Sequence, residues 1–245
     1  MKSKTPKNTT TDTYPMRINK YLAHKGLATR KGVDELIESQ KILINGVVAK
    51  LGNKVMETDK VEVRGTHTKK NYVYFAYNKP QGIVSTNPQR DEKGIMDNIK
   101  TKEKVFPVGR LDKESHGLII LTNDGRVTDR LLNPIYKHEK EYVVRLDRKY
   151  TPGFIRNMQN GVDIGEEEMT RPAVLKEIDD DVFGIILTEG KNRQIRRMTE
   201  KLGYTVRDLQ RTRVQNVKLE KLALNTHREI KGEEKAEFLK SIGLE

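Results

Sequence analysis

The chain has 245 residues, and its 47 Lys and Arg against 35 Asp and Glu give a formal net charge of +12. This positive excess favours a polyanionic partner, of which nucleic acid is the commonest for a basic protein. The absence of cysteine excludes disulfides, a thiolate nucleophile and a cysteine zinc site, and five scattered histidines argue against a His-rich metal site. The sequence has no apolar run near the ~18–20 residues of a membrane span and no signal-peptide stretch, so we expect a cytoplasmic protein without membrane contacts.

The first 64 residues predict a disordered tail followed by a small module. Residues 1–15 are polar and basic, which predicts the disordered tail. Two short amphipathic helices are predicted next, the first ending at Gly26 and the second beginning at Thr29. The dipeptide Asn45-Gly46 between two apolar runs predicts a hairpin, and alternating valines at 61 and 63 predict a third strand.

The module at 16–64 resembles the small S-four RNA-binding domain, named for a ribosomal protein. The matching stretches are 17–22, 26–31 and 44–46. In that family the Thr-Arg-Lys stretch at a helix N-terminus meets phosphates, where cations and the helix dipole act together. The resemblance therefore implies that Arg17, Arg30 and Lys31 contact RNA, although basic residues on helices are more often an ordinary solvated surface.

The second half of the chain predicts a larger domain. Residues 65–72 are polar and basic and predict a linker to a domain spanning 73–245. Apolar runs that predict strands lie at 73–77, 83–85, 118–121, 142–146 and 182–188, and amphipathic segments that predict helices lie at 127–132, 154–158 and 194–202, with a helical tail in the last 20 residues. Because strands outnumber helices and do not alternate regularly with them, an α+β fold with a mixed, largely antiparallel sheet is favoured.

Four stretches of this domain are rich in residues that packing does not require. They lie at 78–82, 109–112, 140–142 and 189–197, each at the end of a predicted strand or the start of a helix. Functional groups usually sit at such ends in mixed folds. Singly each stretch is a weak signal, because a pair such as Arg110 and Asp112 could simply satisfy a turn.

Together and in this order, the four stretches resemble those of the pseudouridine synthases. The sequence Gly-Arg-Leu-Asp-Lys-Glu-Ser-x-Gly-Leu at 109–118 is very specific, and Glu-Gly-Lys-Asn-Arg-Gln-Ile-Arg-Arg-Met at 189–198 narrows the match to bacterial ribosomal-RNA enzymes with an N-terminal S-four domain. Within that group, residues 78–86, 138–142 and 211–214 are most similar to members that act on large-subunit ribosomal RNA. The resemblance implies isomerisation of a specific uridine to pseudouridine, which needs no cofactor and no metal, since nothing is oxidised and no group is imported.

The resemblance also implies a catalytic set. Asp112 matches the essential aspartate, whose role as nucleophile on the base, nucleophile on the sugar or proton acceptor stays open. All three roles need an ionised carboxylate, and the family supplies a cation for it at the position of Arg196. Tyr142 matches a tyrosine that stacks on the target base and offers a hydroxyl for proton transfer.

The resemblance assigns four further cations to RNA. Arg110 matches the arginine that fills the stack vacated by the flipped nucleotide, a task that suits a planar guanidinium. Lys79, Lys191 and Arg193 are expected to contact phosphates, and an ordinary surface role stays open for each of these three residues.

A second hypothesis is a non-catalytic RNA-binding or ribosome-assembly protein that retains the enzyme fold. Charge and the S-four-like module fit both hypotheses. The intact set Asp112, Tyr142 and Arg196 favours the enzyme, because a carboxylate facing RNA phosphates would weaken binding in a protein that only binds. DNA binding has little support, since no helix-turn-helix recognition helix is predicted. The expected partner is a structured RNA, above all ribosomal RNA, and the expected state is a monomer.

Overall fold

The structure, a computed structural model, describes residues 14–24, 30–64, 71–165 and 169–244. The chain divides into two units, Met1–Lys70 and Asn71–Glu245. The predicted tail and linker fall almost wholly outside the described residues, as do Gly26 and Thr29, the predicted end and start of the first two helices. The domain boundaries at 64 and 73 stay predictions.

The described residues of the first unit form two helices and five short strands. They are β1 (Met16–Arg17), α1 (Ile18–His24), α2 (Arg30–Glu38), β2 (Ile42–Ile44), β3 (Val47–Val48), β4 (Lys54–Val55) and β5 (Val61–Val63). Strands β3, β2 and β5 form one antiparallel sheet, and β1 pairs with β4 in another. The apolar core of this unit is formed by buried residues from both helices and from β2 and β4, including Ile18, Leu22, Val33, Ile42 and Val55.

The hairpin predicted in this unit is confirmed. Asn45 and Gly46 have φ of 51° and 81°, the left-handed values that a two-residue hairpin turn requires and that these residue types adopt readily. The prediction of three strands in this unit missed β1 and β4, each of which is only two residues long. Such short strands carry no alternating pattern that a sequence could display.

The described residues of the second unit form one large sheet and four helices. Its strands are β6 (Tyr74–Lys79), β7 (Phe106–Val108), β8 (His116–Thr122), β9 (Lys140–Leu146), β10 (Val174–Asp179), β11 (Val182–Leu187), β12 (Val206–Val214), β13 (Val217–Lys218) and β14 (His227–Glu229). Its helices are α3 (Arg126–Leu132), α4 (Pro152–Asn160), α5 (Gln194–Lys201) and α6 (Gly232–Ser241). Single 3-10 turns lie at Ile95–Asp97 and Pro134–Tyr136.

The strand order is β10-β11-β9-β12-β8-β6-β14, with β7 beside β8 and β13 beside β12. Strands β12 and β8 pair in parallel, and every other pairing in the described part of this sheet is antiparallel. The predicted α+β fold with a mixed, largely antiparallel sheet is therefore confirmed. The parallel pair β8–β12 lies at the middle of the sheet.

Both faces of the sheet are covered by helices. Helices α4 and α5 contribute to the apolar cluster on one face, and α3 and α6 contribute to the cluster on the other. Strand β8 alternates between them: Ile119 and Leu121 belong to the first cluster, and Leu118 and Ile120 to the second. A strand that is buried on both faces has a continuous run of apolar residues, so the position of β8 could be predicted from the sequence.

Two differences from the predicted elements concern the site. The segment 83–85 forms no strand; Val84 makes a single bridge to Gly94, and Ser85 hydrogen-bonds to the backbone of Leu111 instead. Strand β12 escaped prediction because charged and polar residues occupy most of its positions. Tertiary contacts stabilise it, since β9 and β8 flank it on both sides.

Candidate active site

A cavity of about 580 Å³ opens where the β7–β8 loop, the start of β9, the segment before α5 and strand β12 meet. That volume lies within the usual range of small-molecule sites. Five predicted site residues line it: Arg110, Asp112, Tyr142, Lys191 and Arg193. These residues are up to 83 positions apart, and the sheet brings them to one place.

The loop that carries Asp112 is held by its neighbours. The Ser85 hydroxyl donates to the carbonyl oxygen of Leu111 at 2.7 Å and accepts from the Leu111 N–H at 2.9 Å. The N–H of Gly82 donates to the carbonyl oxygen of Lys113 at 2.8 Å. These bonds join the loop after β6 to the residues on both sides of Asp112, so the carboxylate is positioned by backbone contacts.

Gly117 closes the loop where β8 begins. Its φ is +107°, and a Cβ at this position would lie 2.3 Å from the carbonyl oxygen of Arg211 on β12. Only glycine therefore allows β8 and β12 to approach so closely just after the Asp112 loop.

Lys79, which was predicted to contact phosphate, directs its head group into the protein. It is fully buried, and its Nζ donates to the carbonyl oxygens of Pro80, Asp112 and Ser115 at 3.0, 3.1 and 2.7 Å. Burial lowers the pKa of Lys79 to about 8, while the negative charge of Asp112 acts in the opposite direction. All three donors of the ammonium group are used inside the protein, so Lys79 is a positioning residue for the Asp112 loop.

The Asp112 carboxylate is half-buried, with 30% of the side chain exposed, and faces Arg193. The distance from Arg193 Nη1 to Asp112 Oδ2 is 4.0 Å, and the same Nη1 donates to Glu114 Oε2 at 2.8 Å. The Arg193 guanidinium therefore lies between two carboxylates of one loop. Its hydrogen bond lowers the pKa of Glu114 below the ordinary value.

Arg196 does not make the predicted ion pair with Asp112. It is buried, its Nη2 donates to the Ser115 hydroxyl at 3.2 Å, and its Nε lies 3.9 Å from Glu114. Among the described residues, the cation within 4.0 Å of the Asp112 carboxylate is Arg193. Arg196 lies near Glu114 instead of Asp112, because Glu114, two residues further along the loop, lies within 4.0 Å of both arginines.

Tyr142 lies on β9 with 9% of its surface exposed and packs into the apolar cluster beneath the cavity. It is paired with Arg211 across the β9–β12 ladder. An aromatic ring at the wall of a polar cavity suits stacking against a flat ligand. The structure thus brings Tyr142 and Asp112 to the same cavity, as predicted.

The turn before α5 positions the remaining cations. Gln194 is buried, donates to Glu189 Oε1 at 2.7 Å and accepts from the Lys191 N–H at 3.0 Å. Arg193 has a left-handed backbone with φ of 48° and immediately precedes the helix. Glu189 and Gln194 were not predicted as site residues, although both lie in the 189–197 stretch, and they act by fixing Lys191 and Arg193.

Three predicted RNA contacts lie in the first unit. Arg17 is exposed on β1. Arg30 and Lys31 begin α2, and their side chains lie outside the described part of the structure. Their contacts with RNA stay predictions.

The described residues offer neither a metal centre nor a membrane span. Residues 14–24, 30–64, 71–165 and 169–244 contain no cluster of three or more metal-ligating side chains. No helix in the same ranges has both the length and the apolar character to cross a bilayer.

Comparison with known proteins shows the family of this chain. The model of the RNA pseudouridylate synthase family matches residues 73–201, and that of the S4 domain matches residues 16–61. The chain is 40% identical over 231 residues to the dual-specificity RNA pseudouridine synthase RluF of Escherichia coli K12, covering 93% of this chain and 79% of that protein. It is 36% identical over 207 residues to ribosomal large subunit pseudouridine synthase B of Bacillus subtilis, covering 80% and 84% respectively.

A solved structure supports the same assignment. A crystal structure described as a pseudouridylate synthase superposes with a TM-score of 0.68 at 28% identity, covering 93% of this chain and 99% of that one. The chain belongs to the RNA pseudouridylate synthase family and carries an N-terminal S4 domain.

Proposed function

We propose that this protein isomerises a specific uridine to pseudouridine in large-subunit ribosomal RNA, with Asp112 as the essential catalytic residue acting on a flipped nucleotide. The names of two relatives support the substrate class: one is a ribosomal large subunit enzyme, and the other is a dual-specificity RNA enzyme. The basic composition, with a net charge of +12, supports an RNA partner.

The observation that carries the proposal is the position of the Asp112 carboxylate. It faces a cavity of about 580 Å³ that is also lined by Tyr142 and Arg193. Isomerisation breaks the bond from the sugar to N1 of the base, turns the base and joins it through C5; the C5 proton leaves and N1 gains a proton. One ionised carboxylate, a surface that holds the detached base and a proton acceptor supply these needs.

The arrangement also supports base flipping. A uridine stacked in an RNA helix cannot reach a carboxylate at the floor of a cavity, so the nucleotide must leave its stack. Arg110 lines the cavity and is exposed, and its planar guanidinium can take the vacated place in the stack. Tyr142 then provides the apolar wall for the base inside the cavity.

The accompanying proposals are a monomer acting in the cytoplasm without metal or cofactor. The alternative is a ribosome-assembly protein that binds RNA without turnover. Lys79, Ser85 and Gly82 make hydrogen bonds to the backbone of residues 111–113. A protein that only binds RNA would not need these bonds, because binding alone does not require a positioned carboxylate.

Mapping pseudouridines in ribosomal RNA from cells with and without the gene tests the proposal. We expect one or a few sites in the large subunit to disappear without the gene, to return with the wild-type gene and not with Asp112→Asn. Unchanged pseudouridine patterns in both subunits would contradict the proposed substrate. Restoration by Asp112→Asn would favour the assembly protein instead.

A further inference from the structure

Two basic side chains that were not predicted as site residues, Lys140 and Arg211, lie together at the wall of the cavity. Arg211 on β12 is paired with Tyr142 on β9, so the two side chains lie on the same face of the sheet. Lys140 precedes Tyr142 by two residues on β9 and therefore shares that face as well. Lys140, Tyr142 and Arg211 thus form one continuous patch.

Arg211 is buried and Lys140 is partly buried, and neither has a carboxylate partner among the described residues. Arg211 is only 5% exposed, and burial lowers the pKa of Lys140 to about 8, with the positive charge of Arg211 acting in the same direction. Their hydrogen bonds go to backbone carbonyl oxygens: Lys140 Nζ to His138 at 3.4 Å, and Arg211 Nε to Leu118 at 2.6 Å. Throughout the described ranges, no Asp or Glu oxygen lies within 4.0 Å of either head group.

Neighbouring residues show that this fold can supply counter-ions where they are needed. Arg213, two residues beyond Arg211 on β12, pairs with Glu141 at 2.6 Å and with Glu139 at 3.0 Å. Arg126 pairs with the fully buried Asp124 at 2.8 Å. Buried charges are normally compensated in this way because an uncompensated one destabilises the fold. Two adjacent cations without an anion are therefore costly for the free protein.

We propose that Lys140 and Arg211 form a phosphate subsite that binds a phosphodiester of the RNA when the target nucleotide enters the cavity. This inference rests on the proposed function, which brings RNA to this cavity. The missing anion is then part of the substrate, and the planar Arg211 and the point charge of Lys140 are both suited to phosphate. Because the patch is continuous with Tyr142, the bound phosphate fixes the nucleotide beside the ring that its base contacts.

The test compares variants of the full chain in their binding to an unmodified transcript of large-subunit ribosomal RNA. Lys140→Met removes the charge and keeps the aliphatic chain, Lys140→Arg keeps the charge, and Lys176→Met removes an exposed charge from β10 as a matched control. Dissociation constants are measured over a series of salt concentrations. Tritium release from RNA labelled at C5 of uridine gives kcat and KM for the same variants.

For Lys140→Met we expect affinity to fall roughly 10- to 100-fold, the effect of removing one hydrogen bond to a charged group. The slope of log affinity against log salt should decrease by about 0.7–0.9, because the variant neutralises one phosphate fewer. Lys140→Arg and Lys176→Met should keep the wild-type slope. The melting temperature of RNA-free Lys140→Met should equal or exceed that of the wild type, because a partly buried cation without an anion is gone.

Affinity and salt slope of Lys140→Met equal to the wild type would overturn the proposal. A fall in kcat with unchanged binding would also overturn it, because Lys140 would then act in the chemistry. If Lys140→Met failed to fold, Lys140→Gln would be measured in its place against the same two criteria. The binding measurements need no turnover, so a lack of tritium release by the wild type would contradict the proposed function and leave the subsite judged by affinity and slope.

Discussion

The Asp112 carboxylate lies on a loop whose backbone carbonyls are bound by one buried lysine. Lys79 donates to the carbonyl oxygens of Asp112 and Ser115, and Ser85 binds the preceding residue from the other side. A charge that must act on a bound nucleotide benefits from such fixed supports, because small displacements of a reacting group slow the reaction strongly. The roles of Asp112 and Lys79 can therefore be tested by single substitutions.

Asp112→Asn preserves the shape of the side chain and removes its charge. We expect it to abolish tritium release from C5-labelled RNA, since an amide cannot act as nucleophile or base. RNA affinity should stay within a few-fold of the wild type, because the cations around the cavity remain. Glu177→Gln, the same chemical change at an exposed carboxylate on β10, serves as control and should keep full activity. Substantial turnover by Asp112→Asn would refute its catalytic role.

Lys79→Met separates positioning from phosphate binding. Because Lys79 is fully buried and its donors are bound to three carbonyls, we expect kcat to fall while the salt dependence of RNA affinity stays that of the wild type. Filter binding over a salt series and single-turnover tritium release measure the two quantities. A decrease of the slope by about 0.7–0.9 would show instead that Lys79 contacts a phosphate.

At the scale of elements, the contact between β8 and β12 decides the shape of the site. These two strands pair in parallel through Gln210 with His116 and Arg211 with Gly117. Their approach places the end of the Asp112 loop against the strand that carries Arg211. Gly117 makes this possible because any side chain there would overlap the β12 backbone.

Gly117→Ala tests this contact. The new Cβ would lie 2.3 Å from a backbone oxygen that cannot move freely, in addition to the strain of a φ of +107°. We expect a loss of about 4 kcal/mol or more of unfolding free energy, the range of severe core changes. Gly203→Ala is the matched control: its φ is +82°, and its nearest neighbour would lie 3.8 Å away. Strain alone should cost it about 1 kcal/mol, so equal losses in urea unfolding would contradict the proposed overlap.

For the whole molecule, two units have separate apolar cores. The first unit encloses its own cluster around Leu22 and Val33, and the sheet domain has two clusters of its own. Deleting residues 1–64 should therefore leave the sheet domain folded, as judged by circular dichroism and a cooperative melting transition. RNA binding should weaken, and its salt slope should fall by about 0.7–0.9 for each phosphate that the first unit binds. An unchanged slope would mean that the first unit does not contact phosphate.

Two lysines, the buried Lys79 and the partly buried Lys140, predict how stability depends on pH. Lys79 and Lys140 have pKa values near 8 in the folded protein, below the ~10.4 of an unfolded lysine. Between pH 8 and about 9.5 the unfolded chain therefore holds more protons, so the unfolding free energy should rise with pH. Burial raises the pKa of Tyr77 to about 12, which reverses this trend above about pH 10.

Urea unfolding at pH 7.5, 8.5 and 9.5 measures this dependence. Lys140→Met should show a smaller rise than the wild type, because one of the two lysines no longer titrates. Lys176→Met, which removes an exposed lysine, should show the full rise. A flat profile for the wild type would mean that neither lysine is held below its ordinary pKa.

Features carried by neighbouring residues could be predicted from the sequence alone. The Asn45-Gly46 hairpin, the doubly buried strand β8 and helix α5 depend on local backbone preferences and periodicity, and all three are confirmed. The motif at 109–118 likewise identified the family and the Asp112 loop, because the motif is continuous in the chain. A local pattern suffices wherever the determining interactions are local.

Only the tertiary structure decided which groups meet. The head group of Lys79, predicted to meet RNA, is buried inside the protein. Arg193, and not Arg196, lies beside Asp112. Lys140 and Arg211 lie on one face of the sheet. Strand β12, with its charged residues, is stable only because β8 and β9 enclose it. The sequence does not distinguish a long basic side chain whose head group contacts solvent from one that contacts a carbonyl oxygen or a phosphate. Its burial and partners are set by strands distant in the chain, and no local pattern encodes them.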